Sequence, residues 1–200
     1  MTKPVALFDL DGTLCDFNTA MAQYMVRLAS PLEPPVDYAM YDQENESQWM
    51  RERRRLIKNQ PGFWSSLHPL PLGMRLLSLA MDLCRVVIFT KAPLKQPIAF
   101  TEKAQWCARH IVGQYDLSIV TDKGLHYGRL LVDDWPSYIT KWLEHRPRGH
   151  VIMPAHPYNA GFVHPQVTRV GLENIDDGFR VIEAVADQRS ARPVDSKDNT

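Results

Sequence analysis

The sequence is poor in cysteine, in net charge and in long apolar runs. Its 200 residues include three cysteines, Cys15, Cys84 and Cys107, an odd number without metal-site spacing, which argues against a disulfide framework. Lysine plus arginine and aspartate plus glutamate number 23 each, so the formal net charge is zero. A neutral chain lacks the field that holds a nucleic acid or an acidic membrane, and we expect neither as a partner.

No apolar run approaches the roughly 20 residues that a membrane-spanning helix requires. The first residues, MTKPVALFDLDGTL, reach two aspartates before a signal-like apolar run is complete. Together with reduced thiols, these features predict a cytoplasmic protein. Because the chain has no net charge, any anionic ligand must be bound locally, by a few side chains directed at it and by a metal ion.

Short apolar runs, each followed by a polar, acidic or proline residue, recur along the chain. They predict strands at residues 5–8, 86–89, 117–120 and 130–132, with a fifth candidate at 151–153. Continuous apolar runs are typical of strands that are buried on both faces of a parallel sheet. Intervening segments such as 98–111 and 135–145 are long enough for crossover helices. The alternation predicts an α/β fold with a doubly wound parallel sheet.

Residues 16–73 interrupt this rhythm of strands and helices. They contain an amphipathic run at 18–28, a proline-rich turn at 31–35, a charged helical run at 44–58 and an aromatic loop, PGFWSSLHPLPLG, at 61–73. We predict that they form a small helical cap inserted after the first strand. Residues 1–15 and 74–187 would then form the α/β core, which ends in an amphipathic helix at 171–186, and the polar residues 188–200 a disordered tail.

The most specific motif is FDLDGTL, at residues 8–14. Asp9 ends the first predicted strand and Asp11 follows two residues later, so both carboxylates can address one site. Two carboxylates this close repel each other unless a cation lies between them or one is protonated. Mg²⁺ suits such a site, because it prefers carboxylate, water and phosphate oxygens. The alternative is an aspartate that caps a helix after an ordinary turn.

Polar residues also stand at the ends of later predicted strands. They are Thr90 in VVIFTKAP, Lys123 in VTDKG, and Asp133 and Asp134 in RLLVDDW. Each can be a helix cap or a surface residue, but ligands bind at the carboxyl ends of parallel strands, where all of them fall. With the D-x-D-G-T motif they follow the order of the four motifs of the haloacid dehalogenase superfamily, which this chain resembles.

Three stretches resemble the 5′(3′)-deoxyribonucleotidase branch of that superfamily: PGFWSSLHPLPLG, TEKAQWCARHI and TDKGLHYGRLLVDD. With the first motif, the likeness covers most of residues 3–134. There are two departures. Lys91 follows Thr90 where the branch has a serine, and Pro-Tyr separates His156 from Asn159.

The resemblance implies a phosphohydrolase in which Asp9 is the nucleophile and Asp11 the general acid and base. The Thr90 hydroxyl and Lys123 would hold the phosphoryl oxygens. It also implies a Mg²⁺ ion bound by Asp9, the Asp11 carbonyl and one of Asp133 and Asp134. Asp134 is the preferred direct ligand, with Asp133 orienting it or bound water.

The expected substrate is a small phosphate ester, a deoxyribonucleoside or ribonucleoside monophosphate. Candidate substrate-binding residues are Phe17, Phe63, Trp64, Lys91 and Lys103; the aromatic ones can instead pack the cap, and Lys103 can lie on a solvated helix face. Alternatives are a sugar phosphate as substrate, a phosphotransferase, and a non-catalytic relative that binds nucleotide or metal. The oligomeric state is left open, a homodimer included.

Overall fold

Parallel strands form one sheet in the computed structural model, which describes residues 3–33 and 46–187. The strands are β1 (Val5–Phe8), β2 (Arg85–Lys91), β3 (Asp116–Val120), β4 (Leu130–Val132), β5 (His150–Pro154) and β6 (Val167–Val170). Within the described residues their order is β3-β2-β1-β4-β5-β6, with every neighbouring pair parallel. The predicted doubly wound sheet is confirmed, and β6 is an additional edge strand.

Six α-helices connect and flank the strands in the described part of the chain. They are α1 (Phe17–Arg27), α2 (Gln48–Lys58), α3 (Pro71–Leu83), α4 (Pro97–His110), α5 (Pro136–Glu144) and α6 (Ile175–Asp187). Helices α3, α4 and α5 each begin with proline, whose fixed φ suits the first helical position. The predicted tail at 188–200, residues 34–35 of the predicted turn and residues 44–45 of the charged run lie outside the described residues.

Both faces of the sheet are buried, which explains why its strands read as continuous apolar runs. In β1, Leu7 points toward a cluster that includes Ile139 and Trp142 of α5. Its neighbour Phe8 belongs to the cluster on the other face, which includes residues of α3, α4 and α6. Successive strand residues point to opposite faces, so β1 contributes side chains to both hydrophobic clusters.

Helices α1 and α2 lie in the chain between β1 and α3, and they join the second of these clusters through Met21, Met25 and Ile57. The two ends of this segment run side by side: Asp16 donates its N–H to the His68 carbonyl and Leu70 donates to the Leu14 carbonyl, both at 2.8 Å. Residues 71–73 are the first turn of α3 and not part of the predicted loop. That the segment acts as a cap stays a prediction.

Candidate active site

The loop after β1 presents Asp9 and Asp11. The Asp9 N–H donates to the Val132 carbonyl at 2.8 Å, which extends the pairing of β1 with β4 by one residue. Gly12 turns the chain with a φ of +81°, a conformation that residues with a Cβ rarely adopt. A Cβ at Gly12 would lie 2.5 Å from a carboxylate oxygen of Asp134, so glycine also leaves room for that carboxylate. His156 holds the turn by donating from Nε2 to the Gly12 carbonyl at 2.7 Å.

Lys123 lies between two carboxylates at the bottom of the site. It begins a short 3-10 helix after β3, and its Nζ lies 2.6 Å from Asp9 Oδ1 and 2.7 Å from Asp133 Oδ2. Its side chain is almost fully buried. Burial lowers the pKa of Lys123, but Asp133 and Asp9 outweigh it, so the net direction is upward. Lys123 is therefore a permanent cation beside Asp9.

Asp9, Asp133 and Asp134 form a buried acidic group in which carboxylate oxygens lie within 4.8 Å of one another. One ammonium, that of Lys123, faces these three carboxylates, which leaves two negative charges. Burial raises the pKa of Asp133 and that of Asp134 to about 7. Carboxylate oxygens are the preferred ligands of small divalent cations. Both the donor set and the charge therefore fit one divalent metal ion.

Asp134 is held by hydroxyl groups. Thr13 Oγ1 donates to one carboxylate oxygen at 3.0 Å, and the Tyr158 hydroxyl donates to the other at 2.5 Å. Tyr158 in turn accepts a hydrogen bond from Asn18 Nδ2 at 3.1 Å, which ties α1 to the acidic group. Asp133 differs, because one of its oxygens accepts the Trp135 N–H at 2.9 Å, a local bond in the turn that precedes α5.

Lys103 connects Asp11 to Thr90. Its buried ammonium forms an ion pair with Asp11 and donates to Thr90 Oγ1 at 2.8 Å and to the Lys91 carbonyl at 2.7 Å. These three bonds use all three N–H donors of the ammonium. A contact between Lys103 and a substrate, predicted from the sequence, would thus require one of these bonds to break. The buried Thr90 hydroxyl is likewise engaged by Lys103.

A cavity of about 260 Å³, here the Asp9 cavity, opens onto these groups. Its wall includes Asp9, Asp11, Asp134 and Lys123 together with Phe17, Asn18, Arg54, Lys58, Trp64, Lys91, Ala92, Pro93, Trp135 and Tyr138. Lys91 lies with its Nζ 4.5 Å from the centre of the Tyr138 ring. Burial, followed by the charge of Lys123, lowers the pKa of Lys91. A second cavity of about 460 Å³, predominantly apolar in its lining, shares Phe17, Asn18, Arg54 and Trp135 with the first.

The predicted aromatic residues divide between cavity wall and core. Phe17 and Trp64 stack with ring centres 5.5 Å apart and both line the Asp9 cavity. Phe63 is buried against Phe17 and Tyr24 and lines neither cavity. Its observed role is therefore packing, one of the two roles expected for it.

Glu102 and Tyr158 are site residues that the sequence did not single out. The Glu102 carboxylate accepts the N–H groups of Gly62 at 2.6 Å, Trp64 at 3.0 Å and Ser65 at 3.3 Å, and so fixes the aromatic loop to α4. Tyr158 comes from the Pro-Tyr pair between His156 and Asn159. Glu102 directly precedes Lys103 in TEKAQW, and this position next to a candidate site residue is the sequence feature that could have identified it.

This chain matches a known protein family over most of its length. The family model described as 5′ nucleotidase, deoxy (pyrimidine), cytosolic type C protein (NT5C) matches residues 3–188. The chain belongs to this family. It is therefore a hydrolase of the phosphatase and nucleotidase type, and its predicted place in the nucleotidase branch of the haloacid dehalogenase superfamily is confirmed. No curated protein sequence matches the chain.

Solved structures of haloacid dehalogenase-type hydrolases share the fold of this NT5C-family chain. A haloacid dehalogenase-like hydrolase from Burkholderia xenovorans LB400 is 18% identical, with 92% of this chain and 96% of that chain covered and a TM-score of 0.52. The HAD-hydrolase YfnB from Bacillus subtilis, solved bound to magnesium, is 11% identical, with 91% and 99% covered and a TM-score of 0.53. A HAD-superfamily hydrolase of subfamily IA from Geobacter sulfurreducens PCA is 9% identical, with 90% and 100% covered and a TM-score of 0.50. At these identities the likeness concerns the fold.

In residues 3–33 and 46–187, each helix is too short or too polar to cross a membrane.

Proposed function

We propose that this NT5C-family chain is a Mg²⁺-dependent phosphohydrolase that forms an aspartyl-phosphate on Asp9 and acts on deoxyribonucleoside or ribonucleoside monophosphates. The observation that carries the proposal is the position of Asp9. Its carboxylate lies against the Lys123 ammonium at 2.6 Å, within the acidic group and on the wall of the Asp9 cavity. A nucleophile, a cation and a candidate metal site thus converge on one point.

Asp9 and Asp11 divide the chemistry between them. As the bond from Asp9 to phosphorus forms, the bond from phosphorus to the leaving oxygen breaks, and Asp11 gives that oxygen a proton. Asp11 then removes a proton from a water molecule that attacks phosphorus, which releases phosphate and frees Asp9. Burial raises the pKa of Asp11, although Lys103 opposes this, and a raised pKa helps the carboxyl hold the proton that it must donate.

The residues present fit a bound Mg²⁺ ion. Asp9 and Asp134 line the cavity and would hold it, with the Asp11 carbonyl as the further ligand proposed from the family pattern and with Asp133 orienting the group. Bound Mg²⁺ would neutralise charge that develops on the phosphoryl oxygens. Lys123, which uses two of its three donors on Asp9 and Asp133, has one left for a phosphoryl oxygen.

The protein offers an apolar surface next to the reacting groups, to which a nucleoside can bind. The stacked rings of Phe17 and Trp64 line the Asp9 cavity, and Phe17 continues into the larger cavity. Stacking of a base on an aromatic face contributes about 1–3 kcal/mol. These rings support a nucleoside over a bare sugar as the leaving group.

Phosphate release across a panel of esters tests the proposal. Deoxyribonucleoside and ribonucleoside monophosphates and sugar phosphates are incubated with Mg²⁺ and, in parallel, with EDTA. We expect turnover of nucleoside monophosphates that EDTA abolishes and added Mg²⁺ restores. Turnover of sugar phosphates alone would refute the substrate, and turnover that persists in EDTA would refute the role of the metal. No turnover of any ester would refute the activity.

The stabilisation of the protein by Mg²⁺ should depend on pH. Because the pKa values of Asp133 and Asp134 are raised from 3.8 to about 7, the metal-free folded state binds protons more tightly than the unfolded state across this window. The metal-free protein therefore loses stability as the pH rises from about 4 to about 7. At pH values below about 7, Mg²⁺ must displace protons from these carboxyl groups in order to bind. We expect the rise in Tm on adding Mg²⁺ to be larger at about pH 8 than at about pH 5.5. An equal rise at both values would contradict the assignment.

Tyr158→Phe should weaken Mg²⁺ binding. The substitution keeps the ring, which stacks on His156, but removes the hydroxyl that donates to Asp134 and accepts from Asn18. Residues that orient a metal ligand contribute about 10–100-fold to metal affinity or activity. Calorimetric titration with Mg²⁺ should show a Kd raised by about tenfold. Tyr127→Phe, at an exposed tyrosine, is the matched control, and a Tyr158→Phe protein with the wild-type Kd would rule the role out.

A further inference from the structure

The Asp9 cavity contains more positive charge than the proposed chemistry requires. Its wall includes Arg54, Lys58, Lys91 and Lys123. Lys123 is paired with Asp9 and Asp133, and Arg54 is paired with Glu46 at 3.2 Å. Among residues 3–33 and 46–187, no carboxylate lies within 4.0 Å of the ammonium of Lys58 or that of Lys91. Two cations therefore face this cavity without an ion-pair partner in the described part of the chain.

Lys58 is fixed in place at the end of α2. Its backbone carbonyl accepts the Trp64 Nε1–H at 2.9 Å, which ties the end of the helix to the aromatic loop. Its side chain is half-buried on the cavity wall, one helical turn after Arg54. Burial and then the charge of Arg54 lower the pKa of Lys58. An anion bound there would relieve this unfavourable placement of charge.

The two unpaired lysines, Lys58 and Lys91, lie on different sides of the cavity. The Lys58 carbonyl accepts a hydrogen bond from Trp64, whose ring lies 4.6 Å from the Lys103 ammonium that pairs with Asp11. The ammonium groups of Lys91 and Lys123 instead lie 4.5 and 5.1 Å from the centre of the Tyr138 ring. In the proposed reaction Asp11 protonates the leaving oxygen and Lys123 holds the phosphoryl group. Lys91 thus lies on the side of the phosphoryl group, which every substrate carries, and Lys58 lies on the side of the leaving group.

We propose that Lys58 binds a second anionic group on the leaving group, so that the preferred esters of this chain carry a second phosphate, as a nucleoside 3′,5′-bisphosphate does. This inference rests on the proposed function, because the role of Asp11 defines the side of the leaving group. A nucleoside monophosphate offers no anion at that position after its one phosphate is bound. A sugar bisphosphate offers the same chemistry without a base to stack on Phe17 and Trp64.

The test compares kcat/KM for pairs of esters that differ by one phosphate. The pairs are thymidine 5′-monophosphate with thymidine 3′,5′-bisphosphate, and fructose 6-phosphate with fructose 1,6-bisphosphate, at a fixed and saturating free Mg²⁺ concentration. Each pair gives a ratio of bisphosphate to monophosphate. We expect a ratio of about ten or more for the wild type, because a charge-assisted hydrogen bond contributes about 1.5–3 kcal/mol. The pair with the higher ratio shows whether the nucleoside or the sugar is the source of the second phosphate.

Lys58→Met should lower this ratio about tenfold, because it removes the ammonium and keeps an unbranched side chain. Arg55→Met is the matched control. Arg55 is an exposed residue of the same helix that lies outside the Asp9 cavity, and its loss removes the same charge from the chain. The control should keep the wild-type ratio. A wild-type ratio near one, or a Lys58→Met variant that keeps the wild-type ratio, overturns the inference.

A failure of the proposed function gives a different result. If no ester is hydrolysed, calorimetric titration with thymidine 3′,5′-bisphosphate decides the question by binding alone. Binding that is about tenfold weaker in Lys58→Met than in Arg55→Met supports the anion site without the hydrolase. Equal binding to the two variants overturns the anion site.

Discussion

Replacing Asp9 with asparagine is expected to lower the kcat for phosphate release by about 10⁴-fold or more, because removing a nucleophile removes the covalent step. Asparagine has nearly the shape of aspartate, but its amide oxygen is a poor nucleophile and carries no charge to pair with Lys123. The rate is measured by phosphate release from the best ester of the panel, under single-turnover conditions for the variant. Saturating Mg²⁺ separates the loss of the nucleophile from a weaker metal site.

Asp116→Asn is the matched control for Asp9→Asn. Asp116 is the first residue of β3, at the amino end of the strand, whereas the site lies at the carboxyl ends of the strands. It forms an exposed ion pair with Arg85, so its substitution should leave kcat unchanged. Asp9→Asn should still unfold cooperatively, because asparagine keeps the packing around the site. Residual turnover above about 1% of the wild type would show that water attacks phosphorus without an aspartyl-phosphate.

The sheet could be predicted because burial on both faces leaves an unambiguous pattern. Residues 5–8 and 130–132 are apolar at every position, and both segments are strands with the predicted bounds. Strand β6, Val167–Val170, was missed because its sequence VTRV places a threonine and an arginine between two valines. It lies at the edge of the sheet, where polar side chains reach solvent and the continuous apolar signal is lost.

The site was predictable at the level of chemistry but not at the level of contacts. Asp9, Lys123 and Asp134 reach one cavity because parallel strands end at one edge of the sheet. The sequence suggested that Lys103 either binds the substrate or lies on a solvated helix face; the structure buries it and pairs it with Asp11, 92 residues away. Such pairs depend on how a helix is rotated over the sheet, which a single sequence does not encode in any local pattern.

The same limit applies to Tyr158, whose neighbours in the sequence gave no sign of its partner. Its hydroxyl reaches Asp134, 24 residues away, and Asn18, 140 residues away. The Pro-Tyr pair was visible as a departure from the family pattern, and the departure marked a residue with a contact of its own. A difference from a family motif is therefore worth testing for gained interactions as well as for lost ones.

Lys123→Met is expected to lower stability as strongly as it lowers activity. Asp9 and Asp133 would lose the ammonium that lies 2.6 and 2.7 Å from them, and three buried carboxylates would repel one another. Breaking a buried ion pair by removing one partner costs about 3–5 kcal/mol. The free energy of unfolding, measured by urea denaturation in EDTA, should fall by about that amount. The kcat for phosphate release should fall by about 10²–10³-fold, because Lys123 also balances charge at the phosphoryl group.

Lys141→Met separates this effect from a general loss of charge in the same region. Lys141 is an exposed residue of α5 that pairs with Asp122, next to Lys123 in the sequence, and its substitution should change neither quantity appreciably. Because the acidic group of Lys123→Met carries one more uncompensated negative charge, added Mg²⁺ should stabilise this variant more than it stabilises the wild type. Equal stabilisation would mean that the metal ion and Lys123 do not act on the same carboxylates, which would contradict the assignment of Asp9, Asp133 and Asp134 as one electrostatic unit.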